Sequence, residues 1–247
     1  MNIRNLAMSA LGAAALAGSL TAAEPVKIGY IYVSPVGDAG WTYQHDLGRK
    51  QMEAALKGKV TTKFIENVPE GADAERIIRQ MAQDGNQIIF TTSFGYMNPT
   101  EKVSKAFPKV TFLHATGYKS GPNFGIYNAR FYEGRYLNGV IAGKMTKTNV
   151  AGYVAAFPIP EVVMGINAFA RGMRSVNPKA EVRVIWVNSW FDPGKEREAA
   201  MTLIAQGADT TPTPPPSCRP QKRSTRKRAP GPSPTTATCP STAPRPS

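Results

Sequence analysis

Asp38 and Trp41 lie just beyond an apolar run at residues 26–34 (VKIGYIYVS), with only Ala39 and Gly40 between them. A carboxylate can accept hydrogen bonds from the edge of a heterocycle, and an indole beside it can stack on the face; that is binding chemistry. A second apolar run, residues 87–91, leads into Ser93, Phe94, Gly95 and Tyr96, and a third leads into Trp186, Trp190 and Phe191. Asn167 adds an amide that can read a polar edge. Flat π faces of this kind suit a planar heterocycle or a sugar face.

Bond-breaking chemistry finds little support. His45 and His114 stand apart, and no HExxH, Gly-x-Ser-x-Gly, Walker or CxxC pattern occurs. The acids Glu24, Asp38, Asp73, Asp84, Glu161 and Asp192 are dispersed, mostly at expected helix starts, where they complement the helix dipole. Both cysteines, Cys218 and Cys239, fall near the C-terminus, so the rest of the chain offers no thiolate metal site and no disulfide. Neither a cofactor nor a metal is implied.

The elements that position these residues alternate. Strands are expected near 26–31, 60–65, 87–91, 110–114 and 124–127, with helices at 43–56, from Asp73 to Gly85, and from an Asn98 cap through Pro99 and Glu101. A helix at 134–145 then leads to a strand at 150–156, a helix at 161–175, a strand at 181–187 and a helix that Asp192 and Pro193 start. Strands separated by helices require an α/β fold with mostly parallel sheets. No internal sequence repeat is evident. Lobe 1 is expected at 24–130 and a partial lobe 2 at 131–209.

The two ends differ from this pattern. Residues 1–23 read as a secretory signal: Arg4, a short Ala- and Leu-rich stretch, then Thr21-Ala22-Ala23. The stretch is too short for a stable membrane span, and no cysteine follows it for lipid attachment. Residues 210–247 hold eleven prolines, seven basic residues and no acid, a composition that cannot bury enough surface to offset its ordering entropy. Much of the net charge of +13 resides there. Setting those seven and Arg4 aside leaves 22 basic against 17 acidic residues, an ordinary surface, and no nucleic-acid partner is expected.

Four stretches, KIGYIYVSPVGDAGWTYQHDLGRK, VPEGADAERIIRQMAQDGNQIIFTTSFGYMNP, IPEVVMGINAFARGMRSVNP and VNSWFDPGKEREAAMTLIAQGAD, resemble the basic membrane protein (BMP) family. These are the purine-nucleoside-receptor-like substrate-binding proteins of ABC importers. The resemblance implies a type I periplasmic-binding fold: two hinged lobes, each a parallel sheet flanked by helices, closing on a purine or nucleoside. It also implies a monomer outside the cytoplasm that delivers its solute to an ABC permease. Asp38 and Trp41 match the family's first-loop positions. Thr42 stands where many members have Asn. Phe94 and Tyr96 match the third-strand loop, and Asn167 and Trp190 fall at second-lobe contacts.

The resemblance stops at Asp209, where the family continues with a strand and a His-Thr-Asp-Ser-Pro loop. Read one base out of phase, with permitted third bases, codons 209–216 can encode His-His-Thr-Asp-Ser-Pro-Ala. In the same phase codons 234–245 can encode Tyr-Asp-Ser-Asp-Met-Ser-Lys-Tyr-Gly-Pro-Lys. Two bases of every shifted codon are constrained by the observed residues, so a frameshift near codon 209 is expected, with solute binding impaired in the chain as written. Three rival functions remain: an exported nucleoside-processing enzyme, a ligand-sensing domain, and a polyanion-binding arm formed by the basic tail.

Overall fold

The computed structural model describes residues 24–38 and 40–211. The expected leader and the Pro-rich sequence from residue 212 lie outside the described residues, as do both cysteines. The chain divides into two units, one ending at Ile126 and the other opening at Tyr127.

Unit 1 runs β1 (Val26–Ile31), α1 (Trp41–Ala55), β2 (Val60–Ile65), α2 (Ala72–Gln83) and β3 (Ile88–Thr91). A 3-10 turn (Phe94–Tyr96) then enters α3 (Met97–Ala106), followed by β4 (Thr111–Ala115) and β5 (Phe124–Tyr127). The strands lie in the order β2-β1-β3-β4-β5, with β1 parallel to both its neighbours and β3 parallel to β4. Ile28 to Ile31 of β1 are buried without alternation, as a strand covered on both faces requires. α2 buries Ala74, Ile78, Met81 and Ala82, one stripe at helical spacing, into a core shared with Ile31, Ile89, Val103, Phe112 and Phe124.

Helix starts depart from expectation. α1 begins at Trp41, two residues early, which puts the indole on its first turn. Asp73 is not a cap: Gly71 precedes α2, and Asp73 and Glu75 occupy its first turn, where their charge suits the dipole. Asn98 does not cap α3 either, because the 3-10 turn flows directly into it. Pro99 then falls in the first turn, where its missing N–H costs nothing.

Unit 2 contains α4 (Phe131–Met145), β6 (Val150–Ala155), α5 (Pro160–Val176), β7 (Glu181–Trp186) and α6 (Pro193–Ala205). β6 and β7 pair in parallel from Val150↔Glu181 to Ala155↔Trp186. The cap expected at Asp192 is present, its Oδ1 accepting from Lys195 N at 3.0 Å. Asp209 accepts from Thr146 Oγ1 and Lys147 N, both at 2.6 Å, and from Thr148 N at 3.0 Å, which fixes the turn into β6. Thr210, expected to open the tail, instead forms a parallel bridge to Ala151. Among the described residues no helix is long and apolar enough to cross a membrane.

Candidate functional site

In unit 1 the carboxyl ends of β1, β2, β3 and β4 open into four loops, the usual ligand edge of a parallel sheet. Trp41 comes from the first loop and reaches across to the third: its Nε1 donates to Thr92 O at 2.5 Å. The indole remains 38% exposed. His45, one turn along α1, backs it, with ring centroids 4.6 Å apart and Nδ1 3.0 Å from Trp41 O. Burial lowers the His45 pKa from its ordinary value, partly offset by that backbone contact, so a neutral ring supports the indole at neutral pH. The hydrogen bond thus anchors one edge of the indole to the third loop.

Two carboxylates of the β2–α2 loop hold the neighbouring loops in place. Glu66 Oε2 accepts from Val36 N at 2.7 Å, fixing the first loop just before Asp38. Glu70 Oε1 accepts from Ser93 Oγ at 2.5 Å and from Gly95 N at 2.9 Å, fixing the third loop around Phe94. Asp38 is exposed and Phe94 half-buried. Tyr118, on the fourth loop and 70% exposed, lies with its ring 6.3 Å from that of Phe94.

Two of the expected contacts have structural roles instead. Thr42 is buried, its Oγ1 2.7 Å from Ser34 Oγ, because the first turn of α1 rotates it under the loop. Tyr96 is fully buried and donates its hydroxyl to Val68 O at 2.5 Å. Burial holds that phenol well above its usual pKa range. Glu66, Glu70, His45 and Tyr118 were not singled out from the sequence. The i, i+4 spacing of Trp41 and His45, and an aromatic just past the fourth strand, were signals that could have marked two of them.

Unit 2 places its candidates separately. Asn167 is exposed on α5 and lines an open groove of about 620 Å³ with Tyr132, Pro158, Pro160, Met164 and Arg171. Trp190, on the β7–α6 loop, packs on Phe157 of the β6–α5 loop, ring centroids 4.9 Å apart. Trp186 and Phe191 are 36% and 51% exposed.

His114, the other histidine, is fully buried on β4. Its Nδ1 lies 3.1 Å from Thr91 Oγ1, which in turn accepts from Thr100 Oγ1 at 3.0 Å. Burial depresses its pKa to about 4. That is a neutral structural ring, away from any exposed acid–base pair.

The family model "Bmp: ABC transporter substrate-binding protein PnrA-like" matches residues 25–211. A purine-binding protein of Brucella abortus (strain 2308) is 62% identical over 194 residues, covering 78% of this chain and 55% of the relative. A putative ABC transporter glucose-binding protein of Haloferax volcanii is 46% identical over 192 residues, covering 78% and 49%. Among solved structures, an ABC transporter solute-binding protein of Aeropyrum pernix K1 aligns with a TM-score of 0.66 at 22% identity, over 76% of this chain and 54% of that one. The chain spans about half the length of the curated relatives it matches.

Proposed function

The chain belongs to the PnrA-like, or Bmp, family of ABC transporter substrate-binding proteins, and from that premise we propose that it binds a purine base or nucleoside outside the cytoplasm and presents it to a membrane permease. The observation that carries this reading is Trp41, pinned through Nε1 to Thr92 O, backed by His45 and still 38% exposed. A rigid indole face costs little ordering on stacking against a flat ring. Asp38, three residues before it, supplies the acceptor for ring or amino N–H groups. Phe94 lies on the loop after β3 at the same sheet edge, and Asn167 and Trp190 are the solute-binding candidates within unit 2.

The work such a site does is recognition. Solute stabilises whichever lobe arrangement it contacts best, and the permease reads that state.

Titration calorimetry with adenine, guanosine and glucose tests this. Heat with a purine and none with glucose, abolished by Trp41→Ala, supports the reading. The glucose-binding relative favours a second one, since a sugar face also stacks on indole; heat with glucose alone would establish it. Nucleoside cleavage under the same conditions would overturn both.

A further inference from the structure

The loop between β4 and β5 of unit 1 is held at successive residues. Thr116 stands at φ 64°, a left-handed backbone that a β-branched side chain adopts only when its surroundings impose it. Gly117 follows because the chain passes directly over His114: a Cβ there would stand 2.8 Å from His114 Nε2. Tyr118 N donates to Met97 Sδ at 3.5 Å. Lys119 Nζ donates to Asn98 Oδ1 at 2.9 Å and to Glu101 Oε2 at 2.8 Å, and Gly121 N donates to Phe124 O at 2.7 Å. The buried end of β4 and the first turns of α3 thus fix the backbone on both sides of residue 118.

Between these anchors one large side chain stands in the open. Tyr118 is 70% exposed, and among the described residues no other large apolar or aromatic side chain is as exposed. Its ring leans on that of Phe94, centroids 6.3 Å apart and planes tilted by 47°, and Phe94 is packed against the unit 1 core. A side chain this exposed adds little to folding, so the strained backbone at Thr116 fixes a ring that the core does not use. The strand order β1-β3-β4 sets the first, third and fourth loops side by side, with neighbouring strands about 4.8 Å apart. Trp41 leaves the first loop and is tied to Thr92 O at the start of the third, Phe94 stands on the third, and Tyr118 on the fourth. Three rings on anchored loops therefore succeed one another along one sheet edge.

We propose that Tyr118 is a further solute-contacting residue and that its ring selects an aromatic heterocycle over a sugar. The proposal rests on the solute-binding reading above and deepens it. Trp41 alone suits either class, because a sugar face also stacks on indole. Ring pairs gain from matched quadrupoles, which a saturated sugar lacks, so additional rings on the same edge favour a solute that is itself aromatic. Phe94, half-buried, serves as the support against which Tyr118 is held.

The test is NMR titration of the full chain with adenine and with glucose, read at the Gly95 amide of the third loop. Tyr118→Ala should weaken adenine binding about 10-fold, and Tyr118→Phe, which keeps the ring, should stay within about 2-fold of the parent. Any response to glucose, and the melting temperature, should be the same in both variants as in the parent. A loss in Tyr118→Phe as large as in Tyr118→Ala assigns the effect to the hydroxyl and overturns the stacking role. An equal loss for glucose overturns the selectivity. Adenine binding that Trp41→Ala abolishes and Tyr118→Ala leaves unchanged overturns the role of Tyr118 while the purine reading stands. A parent chain that responds to glucose alone, or to neither probe, overturns both.

Discussion

Units 1 and 2 share a β-α-β-α sequence ending in a glycine-closed helix, preceded in unit 2 by α4, yet among the described residues one sheet has five strands and the other two, with an isolated bridge at Thr210. The correspondence extends to side-chain packing. Gly29 in β1 faces Met81 and Asn86, and Gly152 in β6 faces Leu203 and Ala208, the residues at the same offsets from Gly85 and Gly207. A shared backbone solution therefore tolerates different side chains, provided the strand keeps a glycine where the following helix crosses it closely.

Polar burial sharpens the contrast. Unit 1 buries an ion pair, Asp46 with Arg49 at 2.8 Å, and Arg49 also donates to Thr62 Oγ1 at 2.7 Å. Burial alone would raise the Asp46 pKa, but hydrogen bonds from Lys50 and Arg49 outweigh it and lower the value. Asp46→Ala should be the most damaging single change, at about 3–5 kcal/mol, because it leaves the buried Arg49 guanidinium with only Glu53, at 3.4 Å, as an ion-pair partner. Urea unfolding followed by exchange should show the loss in β1 and β2, with β6 and β7 unaffected; loss in both units would mean that they unfold as one.

The next effect is the pH dependence that His114 gives unit 1. His114 has an ordinary pKa of 6.5 when unfolded and about 4 in place. Below pH 6.5 the unfolded chain takes up a proton that the folded chain refuses until about pH 4. Stability is therefore fully present above pH 6.5 and falls as pH drops toward 4, by about 3 kcal/mol. Denaturation midpoints at pH 7.5 and 4.5 should converge in His114→Asn; an acid limb as steep as the parent's assigns the effect elsewhere.

The equivalent glycines allow a direct comparison of the units. A Cβ at Gly29 would meet the Met81 Sδ at 2.4 Å, the tip of a side chain that can swing away. At Gly152 it would meet Leu203 Cβ at 2.8 Å, which is fixed to the α6 backbone. Gly152→Ala should cost about 2–3 kcal/mol and Gly29→Ala about 1 kcal/mol. Melting temperatures in the reverse order would undo the packing argument.

The smallest effect concerns the loop ties. Glu70→Gln weakens charge-assisted bonds from Ser93 and Gly95, each worth about 1.5–3 kcal/mol. Because the amide oxygen still accepts, purine affinity should fall only about 3- to 10-fold, with little change in melting temperature. An unaltered affinity would leave Phe94 outside the site.

Much of this was legible in the amino-acid order. The alternation of strands and helices, the α2 stripe and the Asp192–Pro193 start depend on neighbours within a few residues, which sequence displays directly. The placement of Asp38 and Trp41 just beyond β1 was legible because a short loop after a buried strand leaves few places for them to go. The roles of Thr42 and Tyr96 were not, since the helix phase that buries them depends on a start two residues earlier for α1 and on a 3-10 turn before α3. Glu66 and Glu70 were illegible for another reason: their partners at Val36, Ser93 and Gly95 lie 23 to 30 residues away.

Sequence by itself determined the fold class, because the periodicity that separates strands from helices is a property of the chain alone. Only the tertiary structure decided that the two units are one design begun twice. The equivalence lies in hydrogen-bond register and close packing, which side chains as different as Met81 and Leu203 satisfy equally well.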